Sequence, residues 1–169
     1  MSRILIEKLS EDRVEIVQDL ASKIWPDTFR TILSPEQIRY MLNWMYDPDT
    51  LKKQMLAGHQ FFVCFENGTP LGFIGVEPFH PDTQKIKIHK LYVLPESQGK
   101  GIGKLLFEKA KELASLLKLT SIVLNVNRFN NAVDFYKHLG FTVAYEEDID
   151  IGNGYWMEDY VMSYPLKLE

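Results

Sequence analysis

Three features of the 169-residue sequence predict a mixed α/β fold, with a largely antiparallel sheet flanked by helices. Residues 60–66 and 70–77 are short runs rich in aromatic and β-branched residues on either side of Asn67-Gly68, a strong hairpin signal, and residues 85–94 alternate as a third strand. That third run leads through a long amphipathic helix to SIVLNV at 121–126, a crossover that makes these two strands parallel. Apolar residues at helical spacing precede residue 60, and two more strand-like runs follow residue 140.

The elements follow in order. Residues 3–9 read as a short strand. Ser10 is placed to cap a helix carrying Val14, Val17, Ala21 and Ile24 on one face, with Pro26 expected to stop it. Ser34-Pro35-Glu36-Gln37 opens a second helix with a capping hydroxyl, Pro at the first position and Gln at the third; its stripe is Ile38, Met41, Leu42 and Met45. Asp49 begins a short helical piece ending near Gly58. After the three strands, Ile102, Leu106, Ala110, Leu113 and Leu117 form the apolar face of the crossover helix. Residues 131–138 form a short helix stopped by Gly140, and FTVAYEEDIDI and YWMEDYVMSY are the last two strands. No repeat, low-complexity tract or linker interrupts the chain, so residues 1–169 are expected to be a single domain.

Composition narrows the function. With 19 Lys and Arg against 23 Asp and Glu, there is no positive field for a phosphate backbone, which argues against nucleic acid as a partner. The N-terminus is interrupted by charge too early for a signal peptide, and no apolar run approaches the roughly 20 residues that span a bilayer. The single Cys64 cannot form an internal disulfide and, within FFVCF, reads as a small core residue. A cytoplasmic protein that does not bind membranes is therefore expected. His59, His80 and His138 share no metal-ligand spacing with one another or with Cys64, so no metal is expected.

The chemistry concentrates in LYVLPESQGKGIGKLL, residues 91–106: a strand, a glycine-rich turn and a helix N-terminus whose free amides form an anion cradle. The spacing is wrong for a P-loop, because Gly103-Lys104 is followed by Leu105 and Gln98 stands five residues before Gly103. A dinucleotide fingerprint starting at Gly99 would need Gly or Ala where Lys104 stands, and the N-terminal third is helical where β-α-β units should be. The missing side chains of Gly99, Gly101 and Gly103 let backbone approach a diphosphate, and Lys100 and Lys104 add charge.

Gln98-Gly99-Lys100-Gly101-Ile102-Gly103 resembles the Gln/Arg-x-x-Gly-x-Gly/Ala pattern of the GCN5-related N-acetyltransferase (GNAT) family. HKLYVLPESQ upstream and NNAVDFYKHLGF downstream resemble that family's fourth strand and second conserved block. A weaker likeness links WPDTFRTILSPEQIRYML to the helical region of spermidine/spermine-type acetyltransferases. The resemblance implies acetyl-CoA as co-substrate, its diphosphate on Gln98, Gly99, Lys100, Gly101, Ile102, Gly103 and Lys104, and its pantetheine arm along the backbone of Leu91, Tyr92 and Val93. The Val93 amide is then the oxyanion donor, and Tyr136 the acid that protonates the departing thiolate. Asn130 is expected to cap the last helix and reach the coenzyme. The family often has Asn where this chain has Phe129, so the choice among Asn127, Asn130 and Asn131 stays open. For the base, His89 stands where many relatives place glutamate, and Glu77 on the neighbouring strand is the second candidate.

The expected reaction is direct attack of a primary amine on the thioester. The acceptor is a polyamine or other small amine, with a peptide amine as an alternative, and a homodimer is compatible. A different acyl-CoA donor, or a coenzyme-A-binding regulatory protein without turnover, are the rival readings. The acidic run from Glu146 to Asp150, with Glu158 and Asp159, is either a solvated edge or a surface that steers cations.

Overall fold

The computed structural model describes residues 3–167. One seven-stranded sheet runs through it: β1 (Ile4–Lys8), β2 (Gln60–Glu66), β3 (Thr69–Pro78), β4 (Lys85–Val93), β5 (Ser121–Asn127), β6 (Thr142–Gly152) and β7 (Tyr155–Pro165). Its spatial order is β1-β2-β3-β4-β5-β7-β6. Every neighbouring pair is antiparallel except β4 and β5, which the crossover helix α4 (Ile102–Leu116) makes parallel. β7 lies between β5 and β6, so the acidic β6 becomes the outer edge of the sheet.

Two cores form, one on each face. On one side, α4 and α5 (Ala132–Leu139) cover Ile74, Val76, Ile86, Ile88, Ile122 and Leu124, with Leu106, Phe107 and Tyr136 turned inward. On the other, α1 (Glu15–Phe29), α2 (Pro35–Met45) and α3 (Pro48–Leu56) cover Phe61, Val63 and Phe73. Each fully buried aliphatic or aromatic side chain is worth about 1.5–3 kcal/mol, which makes these faces the main source of stability.

Pro26 does not stop the first helix, which continues to Phe29. A proline near the end of a helix removes only one backbone hydrogen bond. The last turn is held by Phe29, which packs on Trp25 at 4.6 Å and against Tyr92 at 6.4 Å. Ser10 caps a short 3-10 turn rather than α1 itself and makes no capping bond, since its hydroxyl goes to Asp12. Ser34 caps α2 as its sequence implies, accepting from the Gln37 amide at 3.1 Å. The third helix starts at Pro48, one residue before Asp49, and its cap is Asp47, which accepts from the Thr50 amide.

The site-forming feature is in β4. Ile88 pairs with Val76 and Lys90 with Gly75, so His89 is an extra residue, a bulge. Pairing with β5 stops at Ile88 opposite Leu124. Beyond the bulge the two parallel strands part, and the β5-facing side of Leu91–Val93 has no strand partner.

Candidate active site

The parted strands open into a cavity of about 880 Å³. One half is built from the sequence motif. Gly101 caps α4 in the left-handed conformation, with φ +78°, and Gly99 has φ +81°; a Cβ at either would meet no atom within 4 Å, so the space over this loop is open to a ligand. Gly103 has a different job: a Cβ there would stand 3.1 Å from the Phe135 ring, so its absence lets α4 close onto α5. Gln98 donates from Nε2 to the Val93 carbonyl at 3.2 Å and ties the loop to the end of β4. Leu91, Tyr92, Val93, Gln98, Gly99, Gly101, Ile102, Gly103, Lys104, Asn130 and Tyr136 all border the cavity, whereas Lys100 does not.

Asn130 Oδ1 accepts from the Ala132 amide at 2.9 Å, and Asn127 Oδ1 takes the Phe129 amide at 2.9 Å. Each side-chain oxygen thus satisfies a backbone donor beside α5, and both residues border the cavity. Tyr136 is buried at the cavity wall, and burial pushes its phenol well above the usual tyrosine range. It therefore stays protonated and can donate.

The other half is assembled from distant segments. Trp25 and Phe29 of α1, Met41, Trp44 and Met45 of α2, and Ile149, Trp156 and Met157 of the β6–β7 hairpin form a largely apolar wall. Gln37 and Tyr40 hold that hairpin on α2 through the carbonyls of Trp156 and Ile151, at 3.2 and 2.8 Å. The acidic run of β6 stays outside: among the described residues, the carboxylates bordering the cavity are Asp27 and Asp159. Asp148 pairs with Arg128 at 2.8 Å, and Asp150 accepts the Gly152 amide. Ile149 of the same strand borders the cavity, and the alternation of side chains along a strand turns Asp148 and Asp150 to the opposite face.

Sequence reasoning placed Asp159 only within that acidic surface. It is instead a buried residue, 3% exposed. The Asn125 amide donates to it at 3.3 Å and to Glu147 at 2.9 Å. Burial pushes Asp159 up to about 6, against the hydrogen bond from Asn125 and with the help of the Glu147 charge. Its proximity and that of Tyr136 both push the Tyr92 phenol upward, beyond the effect of burial, so the three groups share one corner of the cavity. No local sequence signal marks it: the pairing of β7 with β5 puts Asp159 opposite Asn127, beside the cleft.

His89 and Glu77 are brought together, Nε2 to Oε1 at 2.9 Å. His89 borders the cavity and Glu77 does not. Two more histidines, His59 and His80, reach the same carboxylate oxygen at 3.2 and 3.5 Å, a grouping invisible in linear spacing. His138 is apart, on the exposed side of α5, bonded to the Asp134 carbonyl. Next to His89, the buried Lys90 donates to Gln54 Oε1 at 2.9 Å and lies over the Tyr46 and Phe61 rings; burial holds its ammonium down at about 8. Cys64 is fully buried and its thiol is pushed up by burial, in keeping with a core role.

A sheet parted beside a glycine-turned helix N-terminus, with an unpaired strand edge leading inward, fits a ligand made of a diphosphate and a long amide-bearing arm. Residues 29–163 match the family model of the acetyltransferase (GNAT) domain, and the chain belongs to that family. Over 161 residues it is 29% identical to the spermidine N(1)-acetyltransferase of Thermoplasma acidophilum, covering 92% of this chain and 96% of that protein. It is 37% identical over 82 residues to the peptidyl-lysine N-acetyltransferase YjaB of Salmonella typhimurium, 48% of each chain. The crystal structure of the PaiA N-acetyltransferase of Thermoplasma acidophilum in complex with coenzyme A superposes with a TM-score of 0.82 at 27% identity, covering 97% of this chain and 99% of that one. The protein is an acetyl-CoA-dependent N-acetyltransferase, and the family's reaction requires no metal. No helix among the described residues is long and apolar enough to cross a membrane.

Proposed function

We propose that the protein acetylates a cationic primary amine of the polyamine class, with Asp159 as the base and Tyr136 as the acid. The observation that carries this reading is Asp159: a buried carboxylate on the wall of a cavity whose other half is aromatic and aliphatic. Methylene segments of a polyamine gain from apolar burial, ammonium groups from Trp and Tyr ring faces and from carboxylates. The full-length similarity to a spermidine N(1)-acetyltransferase supports the same class.

The donor set fits acetyl-CoA. The left-handed Gly99 and Gly101 leave open space over the loop, the first amides of α4 lack helical partners, and Lys104 adds a positive charge, which supports placing the diphosphate here. The unpaired edge of Leu91–Val93 is free to bond the pantetheine amides, and the Val93 amide is the donor for the oxygen that gains charge during transfer. Acetyl-CoA supplies the activated acyl carbon.

The rest is done by the chain's side chains. Asp159, ionised above about pH 6, takes the proton from the bound ammonium. The freed nitrogen attacks the acetyl carbon, the carbon–sulfur bond breaks, the Tyr136 hydroxyl gives its proton to the leaving sulfur, and the second proton shed by the attacking nitrogen as it becomes an amide restores the phenol. This reading favours Asp159 over His89 and Glu77, because Glu77 does not border the cavity and His89 Nε2 is engaged by it.

A lysine side chain presents the same ammonium on a methylene stem, and the half-length similarity to a peptidyl-lysine acetyltransferase favours it as the second reading. Release of free thiol from acetyl-CoA, measured against polyamines, lysine peptides and neutral or acidic amines, separates them. Spermidine or spermine is expected to lead; turnover only with peptides would replace this acceptor class.

A further inference from the structure

We infer that His59, Glu77 and His89, with His80 as a fourth ligand, form a binding site for a zinc-type divalent cation beside the acetyl-transfer site. Three adjacent strands build it. Gln60 pairs with Val76 and Lys87 with Glu77, so the position before β2, the end of β3 and the start of β4 meet at one end of the sheet. The bulge then brings His89 to the same carboxylate.

The spacing suits a metal. Donor atoms of His59, Glu77 and His89 all lie within 4.8 Å of one another. From Glu77 Oε1 the three ring nitrogens are at 2.9 Å (His89), 3.2 Å (His59) and 3.5 Å (His80). Tetrahedral zinc with bonds of about 2.0–2.1 Å separates its ligand atoms by about 3.3–3.4 Å, inside that range. Imidazole nitrogens with one carboxylate oxygen are the donor types zinc, cobalt and nickel prefer.

Hydrogen bonding alone serves the cluster poorly. A carboxylate oxygen offers two lone-pair directions, and three imidazoles address this one. His59 and Glu77 have side chains only 12% and 19% exposed, so water does little to relieve the crowding. A cation at the centre converts the three competing nitrogens into ligands, with rotation of the stacked His59 and His89 rings, whose centroids are 4.4 Å apart. Lys87 and Lys90, whose charges act on both rings, oppose a cation and weaken its binding.

Because the acetyl transfer needs no metal, this site is separate from the reaction, and its test reads metal bound rather than turnover. Failure of the acceptor or base assignment leaves it standing. Zinc chloride is titrated into the full chain by calorimetry, cobalt chloride is followed by its visible bands, and thermal melting is recorded with each. One zinc per chain, tetrahedral cobalt bands and a raised Tm are expected. Glu77→Gln and His59→Ala should each weaken zinc by more than about 100-fold, and the more exposed His80→Ala by about 10-fold. Variants that melt cooperatively without metal count as folded; if Glu77→Gln does not, the comparison rests on His59→Ala and His80→Ala. No zinc bound by the wild type, or binding equally strong in the folded variants, overturns the site.

Discussion

The half of the cavity proposed for the coenzyme and the half proposed for the acceptor are built by opposite rules. The coenzyme half comes from consecutive residues, β4, its glycine turn and α4, and its main donors are backbone amides. Its recognition therefore survives in a short sequence pattern. The acceptor half joins α1 and α2 to the β6–β7 hairpin, whose lining residues lie more than a hundred positions further along the chain, and its polar groups are side chains. Glycine positions define the first half, and sheet order defines the second. Changes in the two halves should accordingly fail in different ways.

The largest effect is expected in the coenzyme half. Gly101→Glu adds a side chain in the left-handed region and a negative charge over the diphosphate position, so the rise in Tm produced by acetyl-CoA should disappear along with turnover. Gly101→Asn, which tolerates that conformation, should keep most of the rise. An intact shift in Gly101→Glu would remove the loop from coenzyme binding.

Next in size is Tyr136→Phe at the junction of the halves. The ring still packs among Phe135 and Phe141, so coenzyme affinity should hold while kcat falls by roughly 10²–10³. Equal kcat would make Tyr136 a core residue only.

A smaller effect concerns stability. Asp159 has its carboxyl raised from 3.8 to about 6 on folding, so the folded state holds a proton that the unfolded state releases. Stability is greatest below 3.8 in this respect and falls as pH rises toward 6. Asp159→Asn, which removes the buried charge, should melt a few degrees higher at pH 7, with the gain vanishing near pH 4. A Tm that falls equally at both pH values would mean the carboxylate is structural.

The smallest effect belongs to the outer edge. Reversing Asp148 and Asp150 should change the KM for spermidine by less than about twofold, because these side chains lie off the cavity and one is paired with Arg128. A large, salt-sensitive rise in KM would show that β6 steers the amine.

The same contrast explains what could be read from the sequence. Element types and most boundaries were legible because hairpin, capping and periodicity signals are local: Asn67-Gly68, Ser34-Pro35 and the α4 stripe all held. Pro26 misled because the aromatic packing of Phe29 on Trp25 and Tyr92, a tertiary effect, outweighed one lost backbone bond. The glycine loop was legible as a border of the cavity, apart from Lys100, which does not line it. Asp159 and the His59–Glu77–His89 group were not, since each depends on which strand lies beside which and on a one-residue bulge. Strand order is set by packing of whole faces, and no short window of sequence carries it.

Asp159 carries the proposed chemistry, and the pH dependence of spermidine acetylation in the wild type and in Asp159→Asn tests it. The wild-type kcat/KM should climb tenfold per pH unit below about 6 and lose that limb above it, as the carboxylate ionises. In Asp159→Asn the break near 6 should vanish and the rate fall by roughly 10²–10⁴, with acetyl-CoA binding unchanged. A variant that keeps both the break and the rate would contradict the assignment and return the base to another group in the cavity.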